Sequence, residues 1–219
     1  MESTFAKWLD TAFAGFDGAI LAFYHLLAEW CGALLTPLMR VISIMGDKGL
    51  ILLLIALALG LFSKTRKTGI CMFGAICCGA LMTNVILKET ICRIRPYEAS
   101  ETFRAFWEFV GAHAESEFSF PSGHTTAAAA AATGLWLTRG KKYLAVSVPF
   151  VALMAASRNY FAVHYPTDVI AGAIVGTAAG IIAYFITLGI YRLLNHYENV
   201  KFCRFVLDFD VIGIWKRKE

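Results

Sequence analysis

Apolar residues run along this chain in long stretches that are separated by short polar segments. A helix that crosses a bilayer needs about 20 mostly apolar residues. Five stretches approach or reach that length, and polar residues extend the third and fourth at one end: 49–62 (longer if 42–45 joins it), 69–91, 125–137, 143–156 and 168–193. The pattern therefore predicts an all-α protein, a polytopic bundle of five transmembrane helices.

The first 45 residues allow two interpretations. Residues 13–39 are apolar on average but include Asp17, His25 and Glu29, with Pro37 near the end. Apolar side chains recur there at helical spacing, at Phe16, Ile20, Leu21, Tyr24 and Leu27. This spacing favours an amphipathic helix lying in the membrane interface, and a sixth spanning helix is the alternative.

Three regions follow from this pattern. Residues 1–45 form an N-terminal amphipathic or interfacial segment, and 46–195 form the transmembrane domain. The segment 196–219 is amphipathic with basic ends, which is typical of a tail that lies on a membrane surface.

Composition supports a membrane protein and excludes several other classes. The chain is 58% hydrophobic and 16% charged, against about 45–50% and about 25% in soluble domains. These values exclude disordered, collagen-like and disulfide-scaffold proteins. The six cysteines form no CxxC pair, so they are interpreted as packing residues. Acidic residues near the N-terminus argue against a cleaved signal peptide, and the net charge of +4 does not indicate a nucleic-acid partner.

Basic residues indicate the orientation of the bundle. Twelve of the 20 lie in three regions that five spans place on one side: Lys64, Arg66, Lys67, Arg139, Lys141, Lys142, Arg192, Lys201, Arg204, Lys216, Arg217 and Lys218. The positive-inside rule makes that side cytoplasmic. The longest loop, 97–120, then faces outward and is predicted to help select the substrate head group.

Small residues predict close helix packing. Residues 127–132 are six alanines, and Gly172, Gly176 and Gly180 form a repeated GxxxG motif. Small side chains let helix backbones approach one another in lipid. Packing within one chain is the favoured use, a dimer interface is the alternative, and the sequence does not set the oligomeric state.

Three polar clusters fall on the predicted outer side. The second stretch ends in KETICRIRP (88–96), the third begins with PSGH (121–124), and SRNYFAVHYPTD (157–168) joins the fourth to the fifth. Ionisable residues at membrane depth are costly, so they are functional-site candidates by default. Their convergence at one end of the bundle predicts a functional site there.

The chemistry of these residues predicts a phosphate-binding pocket. Lys88 and Arg95 are seven residues apart, so one helix would place them on the same face, and Arg158 adds a third cation. Ser122 and Gly123 open a helix whose free N–H groups attract an anion. The arginine side chains suit phosphate oxygens.

Two histidines add reactive groups to this pocket. His164 and Asp168 are four residues apart, so the carboxylate can hold one ring nitrogen and leave the other as a nucleophile or base. His124 is placed to protonate a leaving oxygen. Ser122 remains open as an N-cap or a catalytic serine, although no GxSxG elbow surrounds it. Cations and backbone donors can support phosphoryl transfer without a metal or another cofactor.

The motifs K-x6-RP, PSGH and SR-x5-H-x3-D resemble the three signatures of the type 2 phosphatidic acid phosphatase superfamily. Every signature position that can be placed is filled, over about half the chain. The resemblance implies a helical core and metal-independent hydrolysis through a phosphohistidine. By position, it makes His164 the nucleophile, Asp168 its orienting partner and His124 the general acid. The phosphoryl-binding residues would be Lys88, Arg95, Ser122, Gly123 and Arg158.

The resulting hypothesis is an integral membrane lipid phosphatase whose catalytic domain is 46–195. Its site would lie on the outer face of a bacterial-type cytoplasmic membrane. Its partners would be membrane lipids and a lipid phosphate, with undecaprenyl diphosphate favoured over phosphatidylglycerophosphate and phosphatidic acid. The soluble haloperoxidase branch of the superfamily does not fit the hydropathy. A phosphate- or anion-binding membrane transporter and a catalytically silent scaffold are the alternatives.

Overall fold

The computed structural model describes residues 2–211. Within this range the secondary structure consists of helices, with no strand. The helices are α1 (Thr4–Ala12), α2 (Ala14–Gly46), α3 (Leu50–Gly60), α4 (Arg66–Ala80), α5 (Lys88–Ile91), α6 (Pro96–Ala99), α7 (Glu101–Phe109), α8 (Gly123–Arg139), α9 (Leu144–Tyr160), α10 (Pro166–His196) and α11 (Lys201–Asp208). A π-helical segment, Leu81–Leu87, joins α4 to α5. Of the predicted tail 196–219, residues Lys201–Asp208 form α11, and 212–219 lie outside the described residues.

The predicted spans coincide with helices, but their number stays a prediction. Among residues 2–211, three helical segments are long and apolar enough to cross a membrane: Ala14–Gly60, Arg66–Ala99 and Pro166–His196. Helices α8 and α9, which contain the third and fourth predicted spans, are 17 residues each, about 25 Å long.

Backbone contact between α8 and α10 forms the centre of the bundle. A Cβ on Gly172 would lie 2.6 Å from the carbonyl oxygen of Ser122, and a Cβ on Gly176 would collide with that of Thr126. The alanines 128–132 of α8 are buried. The GxxxG repeat therefore packs within the chain, which is the favoured of the two predicted uses.

Helix α2 begins and ends at the same end of the bundle. It has 33 residues and would be about 50 Å long if straight, but its backbone is non-helical at Cys31. Near its start, Asp17 accepts a hydrogen bond from the Thr167 backbone N–H (2.9 Å). Near its other end, Ser43 accepts a hydrogen bond from Arg158. This bend brings both halves of α2 to the first turn of α10 and the last turn of α9.

The side of α2 that faces away from the bundle is strongly apolar. Trp30 is 88% exposed and Leu34 is 76% exposed. Exposed apolar patches of this kind mark a contact with lipid or another apolar surface. The placement of 13–39, as an interfacial helix or as a sixth span, stays a prediction, and the exposed apolar side chains fit both.

The predicted cytoplasmic basic regions gather at the opposite end of the bundle. Arg139 donates to the Lys64 carbonyl (3.0 Å), and Arg66 donates to the Val206 carbonyl (2.7 Å). These three regions therefore share one end, as the five-span pattern requires, and the polar clusters occupy the other. The assignment of the basic end to the cytoplasm stays a prediction.

Candidate active site

Five structural elements bring the three polar clusters to one end of the bundle. Lys88 begins α5, and Arg95 immediately precedes α6. Gly123 and His124 form the first turn of α8, and Ser122 occupies the N-cap position. Arg158 lies in the last turn of α9, His164 in the following loop, and Asp168 in the first turn of α10.

Lys88 and Arg95 approach one another, but not by the helical spacing that the sequence predicts. Lys88 and Arg95 do not share a helical face, because the helix ends at Ile91 and Cys92 adopts a left-handed backbone (φ 54°). The loop turns Arg95 back toward Lys88, and both side chains line one cavity. The two cations therefore converge through a turn, where a helical period was expected.

This cavity, which we call the phosphate cavity, has a volume of about 160 Å³. Its lining includes Asn84, Lys88, Arg95, Glu115, Glu117, Gly123, His124 and His164. A Cβ on Gly123 would lie 3.8 Å from the Lys88 Nζ atom, so the α8 backbone approaches this amine closely. The free N–H groups and partial positive charge of a helix start favour an anion here.

The His164 ring is placed against the Asp168 carboxylate. His164 Nδ1 lies 3.5 Å from Asp168 Oδ2. The same Oδ2 atom accepts hydrogen bonds from the Ser119 hydroxyl (2.6 Å) and the Tyr165 backbone N–H (2.8 Å). The other oxygen, Oδ1, accepts from Arg93 (2.6 Å). Asp168 is fully buried, so these donors replace water around its charge.

Arg95 indicates the protonation state of the opposite ring nitrogen. Its Nη1 atom lies 3.3 Å from His164 Nε2, and a guanidinium has donors but no acceptor. This contact favours a lone pair on Nε2, and the Asp168 carboxylate favours the proton of the neutral ring on Nδ1. Burial and the positive charges of Arg95 and Arg158 also hold the pKa of His164 well below its ordinary value. The arrangement keeps an unprotonated Nε2 facing the phosphate cavity.

Arg95 is itself held by backbone carbonyls. It donates to Glu117 O (2.8 Å) and Val163 O (2.8 Å), and it is 2% exposed. A guanidinium fixed in this way costs little further ordering when an anion binds.

Two glutamates of the 97–120 loop pair with the cations predicted to bind phosphate. Glu117 forms an ion pair with Lys88, and Glu115 forms one with Arg158. Burial alone would raise the pKa of Glu115, but the charges of Arg158 and Arg95 outweigh it and lower the pKa below its ordinary value. Glu115 thus stays anionic where phosphate oxygens would bind.

A second cavity of about 260 Å³ adjoins the first. His124 and Glu115 line both cavities, whereas Arg158 lines the second. Arg158 therefore does not line the phosphate cavity, and its partner Glu115 lies between the two.

Arg93 and Ser119 both contact Asp168, and neither was predicted from the motifs. Arg93 lies at an unassigned position inside K-x6-RP, and Ser119 lies just before PSGH. The available signal for Arg93 was a further basic residue inside the motif, two positions before Arg95. Within residues 2–211, no three His, Cys, Asp or Glu side chains group in a way that would hold a metal ion.

A family model described as the PAP2 superfamily matches residues 68–191, which include all three motifs. Among curated proteins, the chain is 29% identical over 117 residues to an undecaprenyl-diphosphatase of Sulfolobus acidocaldarius, covering 53% of this chain and 54% of that protein. It therefore spans about half the length of that relative. A decaprenylphosphoryl-5-phosphoribose phosphatase of Mycolicibacterium smegmatis is 32% identical, covering 72% of this chain and 81% of its own.

A solved structure shares the architecture. It is the crystal structure of a transmembrane PAP2 type phosphatidylglycerolphosphate phosphatase from Bacillus subtilis. The TM-score is 0.59 at 27% identity, covering 84% of this chain and 91% of that one.

Proposed function

Because the chain belongs to the PAP2 superfamily, we propose that it is an integral membrane hydrolase that removes phosphate from a lipid phosphomonoester or diphosphate. The observation that carries this proposal is the placement of His164. His164 lines a cavity together with Lys88, Arg95 and the start of α8, and its Nδ1 atom faces a buried carboxylate. This combination suits attack on phosphorus.

The first chemical step transfers the phosphoryl group to the protein. His164 Nε2 attacks phosphorus, the bond from phosphorus to the lipid oxygen or bridging oxygen breaks, and His124 gives that oxygen a proton. Asp168 stabilises the positive charge that develops on the His164 ring. Lys88, Arg95, Arg158, the Ser122 hydroxyl and the Gly123 N–H group stabilise the phosphoryl oxygens.

The second step restores the enzyme. Water attacks the phosphohistidine, His124 takes one of its protons, and the bond between Nε2 and phosphorus breaks. Inorganic phosphate leaves, and His124 carries the proton needed for the next cycle. Neither step requires a metal ion or other cofactor.

Among lipid substrates, we favour undecaprenyl diphosphate. The archaeal relative is an undecaprenyl-diphosphatase, and a site on the outer face of a bacterial-type cytoplasmic membrane matches the place where that carrier is released. Phosphatidylglycerophosphate, which the name of the Bacillus subtilis structure specifies, and phosphatidic acid are the alternatives. The 97–120 loop would contribute to the choice, since its glutamates already contact the phosphate-binding cations.

The test is phosphate release by purified protein in detergent from a panel of polyprenyl and glycerolipid phosphates. We expect release by the wild type, with undecaprenyl diphosphate turned over most efficiently, and none by His164→Ala. The matched control is His196→Ala, since His196 is an exposed histidine at the far end of α10, and it should keep wild-type turnover.

Retained turnover in a folded His164→Ala protein would overturn the nucleophile assignment. Phosphate uptake into proteoliposomes without any phosphate release would overturn the enzyme proposal in favour of a transporter.

A further inference from the structure

Arg93 connects the N-terminal helices to the proposed catalytic carboxylate. Arg93 follows α5 and precedes α6 along the chain, and its side chain is 1% exposed. The guanidinium bonds to three carboxylates: Asp168 at 2.6 Å, Asp10 at 2.8 Å and Asp17 at 3.0 Å. The Tyr165 ring covers it at 4.0 Å from the ring centroid. One carboxylate would neutralise the charge, so the other contacts require a further explanation.

Asp17 makes contacts that extend beyond Arg93. Its Oδ1 atom accepts from the Thr167 backbone N–H (2.9 Å), and Oδ2 accepts from the Thr167 hydroxyl (2.7 Å). Thr167 lies in the first turn of α10 and directly precedes Asp168. The N–H groups of a first helical turn lack partners inside the helix, so a carboxylate on α2 caps the helix that carries Asp168.

These contacts fix the orientation of the Asp168 carboxylate. Arg93 binds one of its oxygens, while Ser119 and the Tyr165 N–H bind the other, which faces His164. Without Arg93, Oδ1 would lose its charged donor in a fully buried position, which favours rotation of the carboxylate toward other donors. The distance between Oδ2 and His164 Nδ1 would then no longer be set.

We propose that Arg93 and Asp17 are positioning residues for the reaction, because they hold Asp168 in the orientation that directs the His164 ring. This inference rests on the proposed function of His164 as nucleophile. It gives the segment 1–45 a part in assembling the active site, although the family model begins at residue 68.

The contrasting explanation is that Arg93 and Asp17 only attach α1 and α2 to the bundle. In that case their loss would reduce the amount of folded protein, and each remaining folded molecule would work normally. A positioning role instead lowers kcat per folded molecule and leaves KM unchanged, because substrate contacts are intact while the transition state is stabilised less.

The experiment uses the full chain in detergent with three variants, Asp17→Asn, Arg93→Lys and Arg93→Met. For Asp17→Asn we expect kcat to fall about 10- to 100-fold, by analogy with partners behind metal-binding histidines, with KM unchanged within about twofold. Arg93→Lys keeps the charge but loses the fork, so it should retain more activity than Arg93→Met. Rates are normalised to monodisperse protein.

A second readout does not depend on turnover. In protein with 15N-labelled histidine, the His164 signals are identified by their loss in His164→Ala. The wild-type ring should show the proton on Nδ1, and Asp17→Asn should show a mixture of the two neutral tautomers. A merely structural contact would not change the tautomer in folded protein.

Glu2→Ala is the matched control. Glu2 accepts a hydrogen bond from the Ile94 N–H (3.0 Å), so it ties the N-terminus to the same loop without touching Arg93 or Asp168. It should keep wild-type kcat and tautomer.

Three results would overturn the inference: unchanged kcat and tautomer in both Asp17→Asn and Arg93→Met, an equal loss in Glu2→Ala, or failure of both Asp17→Asn and Arg93→Lys to fold. A wild type without phosphatase activity would instead overturn the proposed function, and the tautomer measurement would still test the geometry.

Discussion

Glu115 and Arg158 form an ion pair in the wall that separates the two cavities of the outer end. Glu117 makes the equivalent pair with Lys88. The protein therefore presents its own carboxylates to the cations that the motifs assign to phosphate, and an incoming phosphate must displace them.

Neutralising Glu115 should strengthen phosphate binding. In Glu115→Gln the competing charge is gone, so inorganic phosphate should inhibit turnover at a concentration about three- to tenfold lower, equivalent to about 0.7–1.4 kcal/mol. The measurement is the inhibition constant for phosphate at fixed lipid substrate. Glu108→Gln, an exposed acid on α7, is the control and should match the wild type. Weaker inhibition in Glu115→Gln would show that Glu115 assists anion binding.

Replacing His124 should reveal its role through the leaving group. His124→Gln should slow hydrolysis of a lipid phosphate by about 10²–10⁴-fold, the usual contribution of a general acid. With p-nitrophenyl phosphate, whose leaving group departs readily as an anion, the loss of phosphoryl-transfer rate should be much smaller. Single-turnover rates of phosphoenzyme formation compare the two substrates. Equal losses would assign His124 to phosphate binding.

A methyl group at Gly176 should separate α8 from α10. In Gly176→Ala the new Cβ meets Thr126 O and the Ala129 Cβ (2.8 Å), which should destabilise the fold by about 1–3 kcal/mol. Gly189→Ala is the control on the same helix, since no atom lies within 4 Å of the added Cβ. Thermal unfolding in detergent measures both. An unchanged Tm accompanied by a change in oligomeric state would favour the dimer interface.

Acid should destabilise the native protein through His164. Its pKa is lowered by burial and by Arg95 and Arg158, so below pH of about 6.5 the unfolded chain takes up a proton that the native ring does not. Stability contributed by this group is present above that pH and decreases below it, by about 1.4 kcal/mol per pH unit. The wild-type Tm should fall more steeply from pH 6.5 to 5 than that of His164→Gln. His196→Gln should keep the wild-type slope, and parallel curves for all three would contradict this assignment.

Chelation should leave the reaction intact. The proposed steps use lysine, arginine, histidine and backbone donors, so excess EDTA should change kcat by less than about twofold. Phosphate release from the preferred lipid in detergent, with and without EDTA, measures this. A complete loss that added divalent cation restores would indicate a metal enzyme.

Local patterns predicted the helices and the three motifs, because apolar length and residue spacing act over short distances along the chain. The end of α5 was harder to predict from the sequence. A left-handed residue at Cys92 ends the helix, and the approach of Lys88 and Arg95 then depends on a turn that the helical period does not contain.

Contacts between residues far apart in the chain account for the other features that the sequence does not predict. Arg93 lies among the unspecified positions of K-x6-RP, and its partners Asp10, Asp17 and Asp168 are 83, 76 and 75 residues away. The sequence shows Asp17 only as an acidic residue within a segment whose apolar spacing favours an amphipathic helix. Nothing in local hydropathy indicates that α2 bends at Cys31 and returns to the first turn of α10.

The backbone contact between α8 and α10 has a mechanical consequence. The Ser122 N–H donates to the Asp168 carbonyl (3.1 Å). Further along α10, Gly172 and Gly176 allow the same two helices to pack closely. The distance between the proposed proton donor at the start of α8 and the nucleophile before α10 is therefore set by main-chain contacts. Lipids that compress or stretch the surrounding bilayer would tilt both helices as one body, so the reacting groups keep their spacing in membranes of different thickness.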